Sequence, residues 1–364
     1  MNLDMGTKKQ INFAIVGFGG IARTHALAAY IANLNFNLPY NLNLHSIVTR
    51  KKLESVPKGV INSLSINEVL ENRDIDFIDI CTPNDSHEEI TMKALLYSKP
   101  IYCEKPLTSS YEKALAMTTN VSCSGIKNAT ALIYRYLPAL RMLKEEIEDG
   151  TIGQIIDFKV TLYHKSYLSP KKKGAWRTLE ESGGGALLDL GIHLVDMIEY
   201  TLGEIETVNC AAKIFFQDRT KVDEIASCDF KLKNEITGSL EVSRIFAEAE
   251  EETAFKIYGS KGSIRFSSHK PYSIQVYDFE NGSTKIKNAS SMPHLMKYYP
   301  GEKTSLGFLQ DCHTSSLINF ANFVADYEKN PLMPTFEDAL RAQRVVEACY
   351  KAAAANKAIE VDSI

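Results

Sequence analysis

Three polar side chains inside one otherwise apolar segment are the first candidates for chemistry. Asp189, His193 and Asp196 lie in the run GGGALLDLGIHLVD at 183–196. In a helix, spacings of four and seven residues place all three side chains on one stripe. Burial of an Asp or a His is costly without a polar partner. The stripe therefore predicts a catalytic cleft, ahead of a structural polar cluster. A metal site comes last, because three ligands on one helix do not complete a coordination sphere.

A lysine at the end of a strand-like run is the second candidate. Lys105 lies between Glu104 and Pro106, directly after the apolar run 101–104. Pro106 disfavours helical geometry at Lys105 and keeps it extended. A cation fixed in this way can polarise a carbonyl or stabilise an alkoxide. The alternative is a surface lysine whose stem covers apolar neighbours.

A glycine-rich turn follows the first strand-like run, INFAIVG, and opens a helical stretch. Its residues are Gly17, Phe18, Gly19, Gly20, Ile21 and Ala22. Gly17 permits a tight turn, Gly19 allows a pyrophosphate to approach the backbone, and Ala22 allows close packing of helix on sheet. The alternative is a plain glycine-rich turn. The strand before it and the helix after it favour a dinucleotide-binding turn.

The end of the second predicted strand bears on the choice of dinucleotide. The chain there is Val48-Thr49-Arg50-Lys51-Lys52. An acidic residue at this point usually binds the ribose hydroxyls of NAD, whereas an arginine can pair with the 2′-phosphate of NADP. Thr49 and Arg50 therefore favour NADP over NAD. The alternative is that these cations only solubilise a loop.

The elements that must position these residues alternate between strand and helix in the first half of the chain. This alternation is typical of an α/β fold with a doubly wound parallel sheet, a Rossmann domain. The Asn-rich segment 33–43 is predicted to be a surface loop. The predicted strands are 11–17, 45–49, 77–82 and 101–104, and the predicted helices are 21–32, 66–70 and 88–97.

Ligands bind such sheets outside the carboxyl ends of the strands. Two further groups of residues fall there and are predicted to contact the cofactor. They are Thr82, Pro83, Asn84 and His87 after the third strand, and Glu104 with Lys105 after the fourth.

The second half of the chain has a different pattern, with strand-like alternation in five segments. It predicts a second α/β domain built on a mostly antiparallel sheet. We therefore expect domains at 1–128 and 129–364, with a C-terminal helix able to pack back on the first. The predicted strands are 151–163, 208–216, 225–232, 238–246 and 254–266, and the helices are 187–202, 315–327 and 336–355.

Composition excludes several classes of protein. The chain has 364 residues, 45% of them apolar, and a formal charge of -4. This balance predicts neither a nucleic-acid nor a membrane partner. Seven scattered cysteines without a CxxC pair predict reduced thiols rather than a metal site. The polar N-terminus is unlike a signal peptide, so a cytoplasmic location is expected.

Taken together, these motifs resemble the glucose-fructose oxidoreductase, inositol dehydrogenase and rhizopine catabolism (Gfo/Idh/MocA) family of NAD(P)-dependent oxidoreductases. The resemblance covers essentially the whole chain. It rests on GFGGIA at 17–22, TPN with His87, EKP at 104–106, Tyr134-Arg135-Tyr136, Trp176-Arg177, the run at 183–196 and TFEDALRAQRVVEACY at 335–350.

The resemblance implies a Rossmann domain, a second domain with a large open sheet often used to form homo-oligomers (a dimer or tetramer), and a site between the domains. It implies that Lys105, Asp189 and His193 are catalytic and that the substrate is a sugar or cyclitol. Under this hypothesis His193, with an ordinary pKa of about 6.5, exchanges the proton and Lys105 stabilises the alkoxide. Residues predicted to touch the substrate are Tyr134, Trp176, Arg177, Asp189 and His193.

Three functions are compatible with these motifs. The first is a sugar or cyclitol dehydrogenase or reductase. The second is a glycosidase that uses NAD to oxidise its sugar transiently, without net redox change. The third is a non-catalytic nucleotide sensor, which the intact set of Lys105, Asp189 and His193 argues against. For Trp176 and Arg177 the alternatives to substrate binding are a core anchor and a surface ion pair.

Overall fold

A computed structural model of the chain describes residues 8–247, 251–328 and 332–364. The segment 1–7, where the sequence is unlike a signal peptide, lies outside these residues. The described chain forms one parallel and one mixed sheet with helices packed against them, which confirms the α/β prediction.

The first sheet is entirely parallel and has six strands in the order β3-β2-β1-β4-β5-β6, the doubly wound order. Strands β4 and β5, each with a neighbouring strand on both sides, are buried along their whole length, because helices cover both faces of the sheet. The strands are β1 (Lys9–Val16), β2 (Tyr40–Val48), β3 (Ile61–Ser63), β4 (Phe77–Ile80), β5 (Ile101–Cys103) and β6 (Asn128–Thr130), and the helices are α1 (Gly20–Asn35), α2 (Ile66–Glu71), α3 (His87–Leu96) and α4 (Tyr111–Ser124).

The predicted loop at 33–43 is wrong in extent. Helix α1 continues to Asn35 and β2 already begins at Tyr40, so only four residues connect them. The Asn33 side chain pairs with Leu42 as a strand would, since its amide donates to the Leu42 carbonyl and its oxygen accepts from the Leu42 N–H. Tyr40, Leu42 and Leu44 are buried at every second position. Because asparagines lie between these residues, the segment was predicted to be a loop and not a strand.

The second sheet has nine strands in the order β14-β13-β12-β11-β7-β10-β9-β8-β15, and among its described pairs only β7 with β10 is parallel. The strands are β7 (Ile155–Tyr163), β8 (Ile205–Lys213), β9 (Ile225–Leu232), β10 (Thr237–Ser243), β11 (Thr253–Gly259), β12 (Gly262–Ser267), β13 (Ser273–Asp278), β14 (Ser283–Asn288) and β15 (Ile359–Glu360), and the helices of this half are α5 (Pro138–Glu148), α6 (Ile192–Leu202), α7 (Phe308–Val324) and α8 (Phe336–Ala355).

Two C-terminal helices connect the two halves of the molecule. Helix α7 packs on α1, and the hydroxyl of Tyr40 in β2 donates to Asn322 of α7. Helix α8 contacts both α4 and β8, and its Gln343 amide donates to the Thr108 carbonyl of the first domain. These contacts bring the carboxyl ends of β4 and β5 towards the start of α6. None of the described helices is long and apolar enough to cross a membrane.

The largely apolar segment predicted as one helix over 187–202 begins with a wider turn. A π-helical turn spans Leu187–Gly191 and leads directly into α6. Gly203, which has a φ of 111°, ends the helix at the predicted position.

Candidate active site

Lys105 and Asp189 meet between the two domains. Lys105 follows β5 of the first domain, and Asp189 lies in the π-helical turn before α6. The Lys105 ammonium donates to the Asp189 carboxylate at 2.9 Å and to its backbone carbonyl at 2.7 Å. The two residues that the motifs singled out therefore form one ion pair, despite a separation of 84 residues in sequence.

The Asp189 carboxylate is shared by two more cations. Arg177 Nε lies 3.2 Å from Asp189 Oδ2, and the Arg244 guanidinium pairs with the same oxygen. Arg244 follows β10 and is buried, and it also donates to the Ser166 hydroxyl. Sequence reasoning missed Arg244, because the predicted strand over 238–246 included it, whereas β10 ends at Ser243. Three cations thus surround one carboxylate.

This crowding changes the acidity of Lys105. Burial disfavours its charged form, and although Glu104 opposes that effect, the nearby Arg177 and Arg244 add to it. Together they lower the pKa of Lys105 to about 7. A lysine side chain that titrates near neutrality can donate a proton as the ammonium and accept one as the neutral amine under physiological conditions.

His193 lies one turn beyond Asp189. Its ring packs edge-on against Tyr134, with ring centroids 5.2 Å apart, and the Tyr134 hydroxyl pairs with Thr253. Among the described residues, no hydrogen-bond partner reaches His193 Nδ1, which is buried. Burial and the nearby Lys105 charge hold the pKa of His193 well below its ordinary value. The imidazole is therefore neutral at pH 7.

Asp196 does not join this site, in contrast to the predicted stripe. Its carboxylate accepts two hydrogen bonds from Arg135 Nε and one from Nη2, at 2.6–3.1 Å. Arg135 also reaches Asp338 at the start of α8. Because the π-helical turn has more residues per turn than an α-helix, the stripe does not stay straight. Asp196 belongs to a structural ion-pair cluster.

The glycine turn leaves space where a pyrophosphate binds. Gly17 has a φ of 91°, and a Cβ there would lie 2.9 Å from the Cys81 carbonyl oxygen. Gly19 and Gly20 would meet nothing within 4 Å. Gly19 precedes the first turn of α1, whose free N–H groups are suited to an anion. Phe18 lies beneath the Arg23 guanidinium, and Ala22 is buried against the sheet. The turn fits a dinucleotide.

The loop after β4 holds neighbouring segments of the site in place through buried hydrogen bonds. Asn84 is buried and donates to the carbonyls of Ser182 and Gly183, which tethers the glycine-rich segment of the second domain. The His87 ring is also buried. Its Nε2 faces the Thr82 carbonyl and its Nδ1 faces the carbonyls of Pro106 and Leu107. His87 thus connects the two loops that carry Pro83 and Lys105, and burial lowers its pKa.

The end of β2 is open to solvent. The Thr49 hydroxyl donates to the Lys51 carbonyl and accepts from the Asn62 amide, so its orientation is fixed. Arg50 is exposed beside it.

Trp176 and Arg177 form a short helical turn above the Asp189 carboxylate. The Arg177 guanidinium stacks on the Trp176 ring at 4.1 Å, and the Arg177 carbonyl accepts from the Tyr167 hydroxyl. Trp176 therefore orients the cation that pairs with Asp189. Neither a simple core anchor nor an isolated surface ion pair describes this arrangement.

Asp223 holds the π-helical turn from below and was not predicted. Its carboxylate accepts from the Leu187 N–H at 2.8 Å and from the Tyr350 hydroxyl at 2.8 Å. Burial raises its pKa to about 6. No motif marks this residue, because its partners lie 36 and 127 residues away.

Comparison with known proteins agrees with this geometry. Residues 11–125 match the Gfo/Idh/MocA oxidoreductase family, NAD-binding Rossmann fold, and residues 144–361 match its C-terminal alpha/beta domain. Levoglucosan dehydrogenase from Pseudarthrobacter phenanthrenivorans is 25% identical, over 98% of this chain and 99% of that protein. Glucose-6-phosphate 3-dehydrogenase from Bacillus subtilis is 27% identical, over 96% of this chain and 98% of that protein.

Solved structures share the fold along the same length. Levoglucosan dehydrogenase in complex with NADH superposes with a TM-score of 0.87 at 25% identity, over 97% of this chain and 99% of that one. The chain therefore belongs to the Gfo/Idh/MocA oxidoreductase family, and it is an oxidoreductase with an NAD-binding Rossmann domain.

Proposed function

We propose that this enzyme moves a hydride between a nicotinamide dinucleotide and a hydroxyl-bearing carbon of a sugar or cyclitol. The observation that carries the proposal is the contact of Lys105 with Asp189, at 2.9 Å across the two domains. His193 lies within the same buried region. Relatives whose names specify such substrates support the class, among them a scyllo-inositol 2-dehydrogenase from Bacillus subtilis, 27% identical over 76% of this chain and 80% of that protein.

The dinucleotide would lie on the turn of Gly17–Ala22, where Gly19 and Gly20 leave open space. When bound, its nicotinamide supplies or accepts the hydride. Thr82, Pro83 and the Glu104-Lys105 segment would line its path into the cleft. Arg50, exposed beside Thr49, is placed to pair with a 2′-phosphate, so we propose NADP(H) as the preferred form over NAD(H).

Lys105 is the group that we assign to proton exchange. Its pKa of about 7 gives both protonation states at neutral pH, whereas His193 remains neutral there. During alcohol oxidation, neutral Lys105 accepts the hydroxyl proton, and during ketone reduction the ammonium returns it. His193 would hydrogen-bond the reacting oxygen and hold it in place. This assignment reverses the roles that the sequence alone suggested.

The remaining groups would bind and orient the substrate. Asp189 holds the Lys105 ammonium and presents its carboxylate to a neighbouring hydroxyl. Arg177, stacked on Trp176, and Tyr134, packed on His193, border the same space.

The test is a panel of sugars, cyclitols and their keto forms, assayed by nicotinamide absorbance with NAD(H) and NADP(H) in parallel. We expect steady turnover with at least one free sugar or cyclitol. An Arg50→Glu variant should reverse the preference between the two dinucleotides without loss of the reaction. Release of a glycosidic leaving group without net change in cofactor would instead favour the glycosidase. Tight dinucleotide binding without turnover of either kind would contradict the proposal.

A further inference from the structure

A second polar cluster lies inside the first domain, behind the Lys105–Asp189 pair. Its four members come from four elements and are each at most 7% exposed. Such a group is unexpected in the interior of a parallel sheet, where strands are nearly continuously apolar. The members are His25 of α1, Asp79 of β4, Glu104 after β5 and His313 of α7.

Three of these side chains each place one atom that could bind a metal in the same small region. His25 Nε2 lies 3.0 Å from His313 Nδ1 and 3.1 Å from Glu104 Oε1. All three atoms lie within 4.8 Å of one another. In a tetrahedral zinc site with bonds of about 2.0–2.1 Å, neighbouring ligand atoms are about 3.3 Å apart. The cluster already has approximately these separations.

Hydrogen bonds among these side chains do not fully satisfy all three of these atoms. His25 Nδ1 lies 2.8 Å from Asp79 Oδ2 and donates its proton to that carboxylate. A proton on His25 Nε2 has two buried acceptors to serve, His313 Nδ1 at 3.0 Å and Glu104 Oε1 at 3.1 Å, whereas a proton on His313 Nδ1 leaves Glu104 Oε1 without a donor among the described residues. A shared or missing hydrogen bond at a buried acceptor is costly. A cation between the three atoms would satisfy both nitrogens and the oxygen.

Asp79 supplies the hydrogen-bond partner that a metal-binding histidine ordinarily has on its second ring nitrogen. A carboxylate on the second ring nitrogen fixes the tautomer and directs the other nitrogen to the metal. Asp79 is 0% exposed and sits in the middle of the sheet at this position. Cys81 Sγ also faces this side, 3.3 Å from His25 Nδ1 and from Asp79 Oδ1. The other oxygen of Glu104 accepts from the Lys105 backbone N–H.

We propose that His25, His313 and Glu104 bind one divalent transition-metal ion, in the first place Zn²⁺, with Asp79 orienting His25. Two imidazoles and one carboxylate suit Zn²⁺ and its neighbours better than Mg²⁺ or Ca²⁺. The ion would join α1, the end of β5 and α7 at the base of the cleft. No local motif indicates this site, because the ligands lie at positions 25, 104 and 313.

A second group of metal-binding atoms has to be separated from this one by experiment. Cys210, Cys228 and Cys349 are buried, with Sγ atoms within 4.8 Å of one another. No histidine or carboxylate belongs to that group, so a thiophilic metal bound there has a different spectrum. A Cys349→Ala variant therefore serves as the matched control.

The experiment uses the full chain, stripped with a chelator and then dialysed against Zn²⁺ or Co²⁺. We expect one ion per chain by elemental analysis, and visible Co²⁺ bands without the intense thiolate charge-transfer band. Glu104→Gln and His313→Leu should each abolish uptake, whereas Cys349→Ala should retain it. Asp79→Asn should keep the stoichiometry but weaken the affinity about 10–100-fold.

The readout does not depend on catalysis. Thermal unfolding, followed by circular dichroism, should show Zn²⁺ raising the melting temperature of the wild type and of Cys349→Ala but not of Glu104→Gln. A folded wild type that takes up no metal would overturn the proposal. So would uptake that survives in Glu104→Gln and disappears in Cys349→Ala, because the ion would then lie on the thiols.

Discussion

At the scale of single residues, the lowered pKa of Lys105 makes a prediction about pH. Under the proposed mechanism alcohol oxidation requires the neutral amine of Lys105, and the neutral fraction rises with pH through about 7. The kcat/KM for oxidation should therefore rise through a midpoint near 7 and level off, whereas ketone reduction should fall over the same range. Lys105→Met should remove this midpoint and lower the rate by about 10²–10⁴. Steady-state kinetics at several pH values measures both effects.

Two variants separate Lys105 from its neighbours in that experiment. Arg244→Gln removes one cause of the lowered pKa, so the midpoint should move above 7. His193→Gln should lower the rate but leave the midpoint in place, since His193 is neutral throughout this range. If the midpoint disappears in His193→Gln and persists in Lys105→Met, the roles of the two residues are the reverse.

The same residues show which properties of the site could be predicted from the sequence and which could not. Lys105, Asp189 and His193 could be selected because each interrupts an apolar pattern. Their acidity could not, because it depends on burial and on Arg177 and Arg244, which fold in from other segments. An ordinary histidine pKa suggested His193 for the proton, and its surroundings favour Lys105 instead.

At the scale of elements, two glycines of the β1–α1 turn should differ in how strongly substitution by alanine affects stability. Gly17→Ala should lower the free energy of unfolding by about 1–3 kcal/mol, because the positive φ and the Cys81 carbonyl oppose a Cβ. Gly19→Ala should change stability by less than about 1 kcal/mol, since its Cβ meets nothing and its φ is negative.

The affinity for the dinucleotide provides a second test of the Gly19→Ala variant. In Gly19→Ala the new methyl group would occupy the space of the pyrophosphate, so we expect affinity for the dinucleotide to fall about tenfold or more while the melting temperature is kept. Denaturant unfolding and fluorescence titration with the reduced dinucleotide measure the two quantities. Unchanged affinity in a folded Gly19→Ala protein would contradict binding at this turn.

Helices were predictable where the spacing of apolar residues and the residues at the helix ends indicate the same bounds. The helix at Phe336–Ala355 begins with a capping box of Thr335 and Asp338, and its predicted bounds are those observed. The π-helical turn at Leu187–Gly191 was not predictable, because its wider turn is held by Asp223, which is 36 residues from Leu187. The misplacement of Asp196 follows from this one local change.

At the scale of the whole molecule, the fold class followed from the order of patterns, but the position of the C-terminal helices did not. Helix α7 belongs by sequence to the second half and yet packs on α1 of the first domain. It carries His313, which faces His25 across 288 residues. Contacts at this separation depend on the final topology, so neither the base of the cleft nor the polar cluster behind it could be found from local sequence.

The nine-stranded sheet leads to a prediction about assembly. Helices such as α5 cover one of its faces, against β12 and β13. The other face presents Tyr258, Tyr277 and Ile286, which are 38%, 38% and 65% exposed. Cross-strand pairing places Tyr258 and Tyr277 opposite Ser263 on successive strands, and Ile286 opposite Gln275 in the adjacent row. The same face carries Lys256 and Arg265 in the row of Ile286, and exposed aromatic side chains grouped with an arginine are typical of an interaction surface.

We therefore expect the chain to form a homo-oligomer through this face of β11 to β14. A double substitution, Tyr277→Glu with Ile286→Lys, introduces charge that a buried interface does not accommodate, and it should weaken self-association about tenfold or more. Leu34→Glu is the matched control, because Leu34 is 84% exposed at the end of α1, outside the sheet. Sedimentation and light scattering over a range of concentrations give the molecular mass. A wild-type monomer at all concentrations would contradict the prediction, as would an oligomer that Leu34→Glu dissociates and the double variant leaves intact.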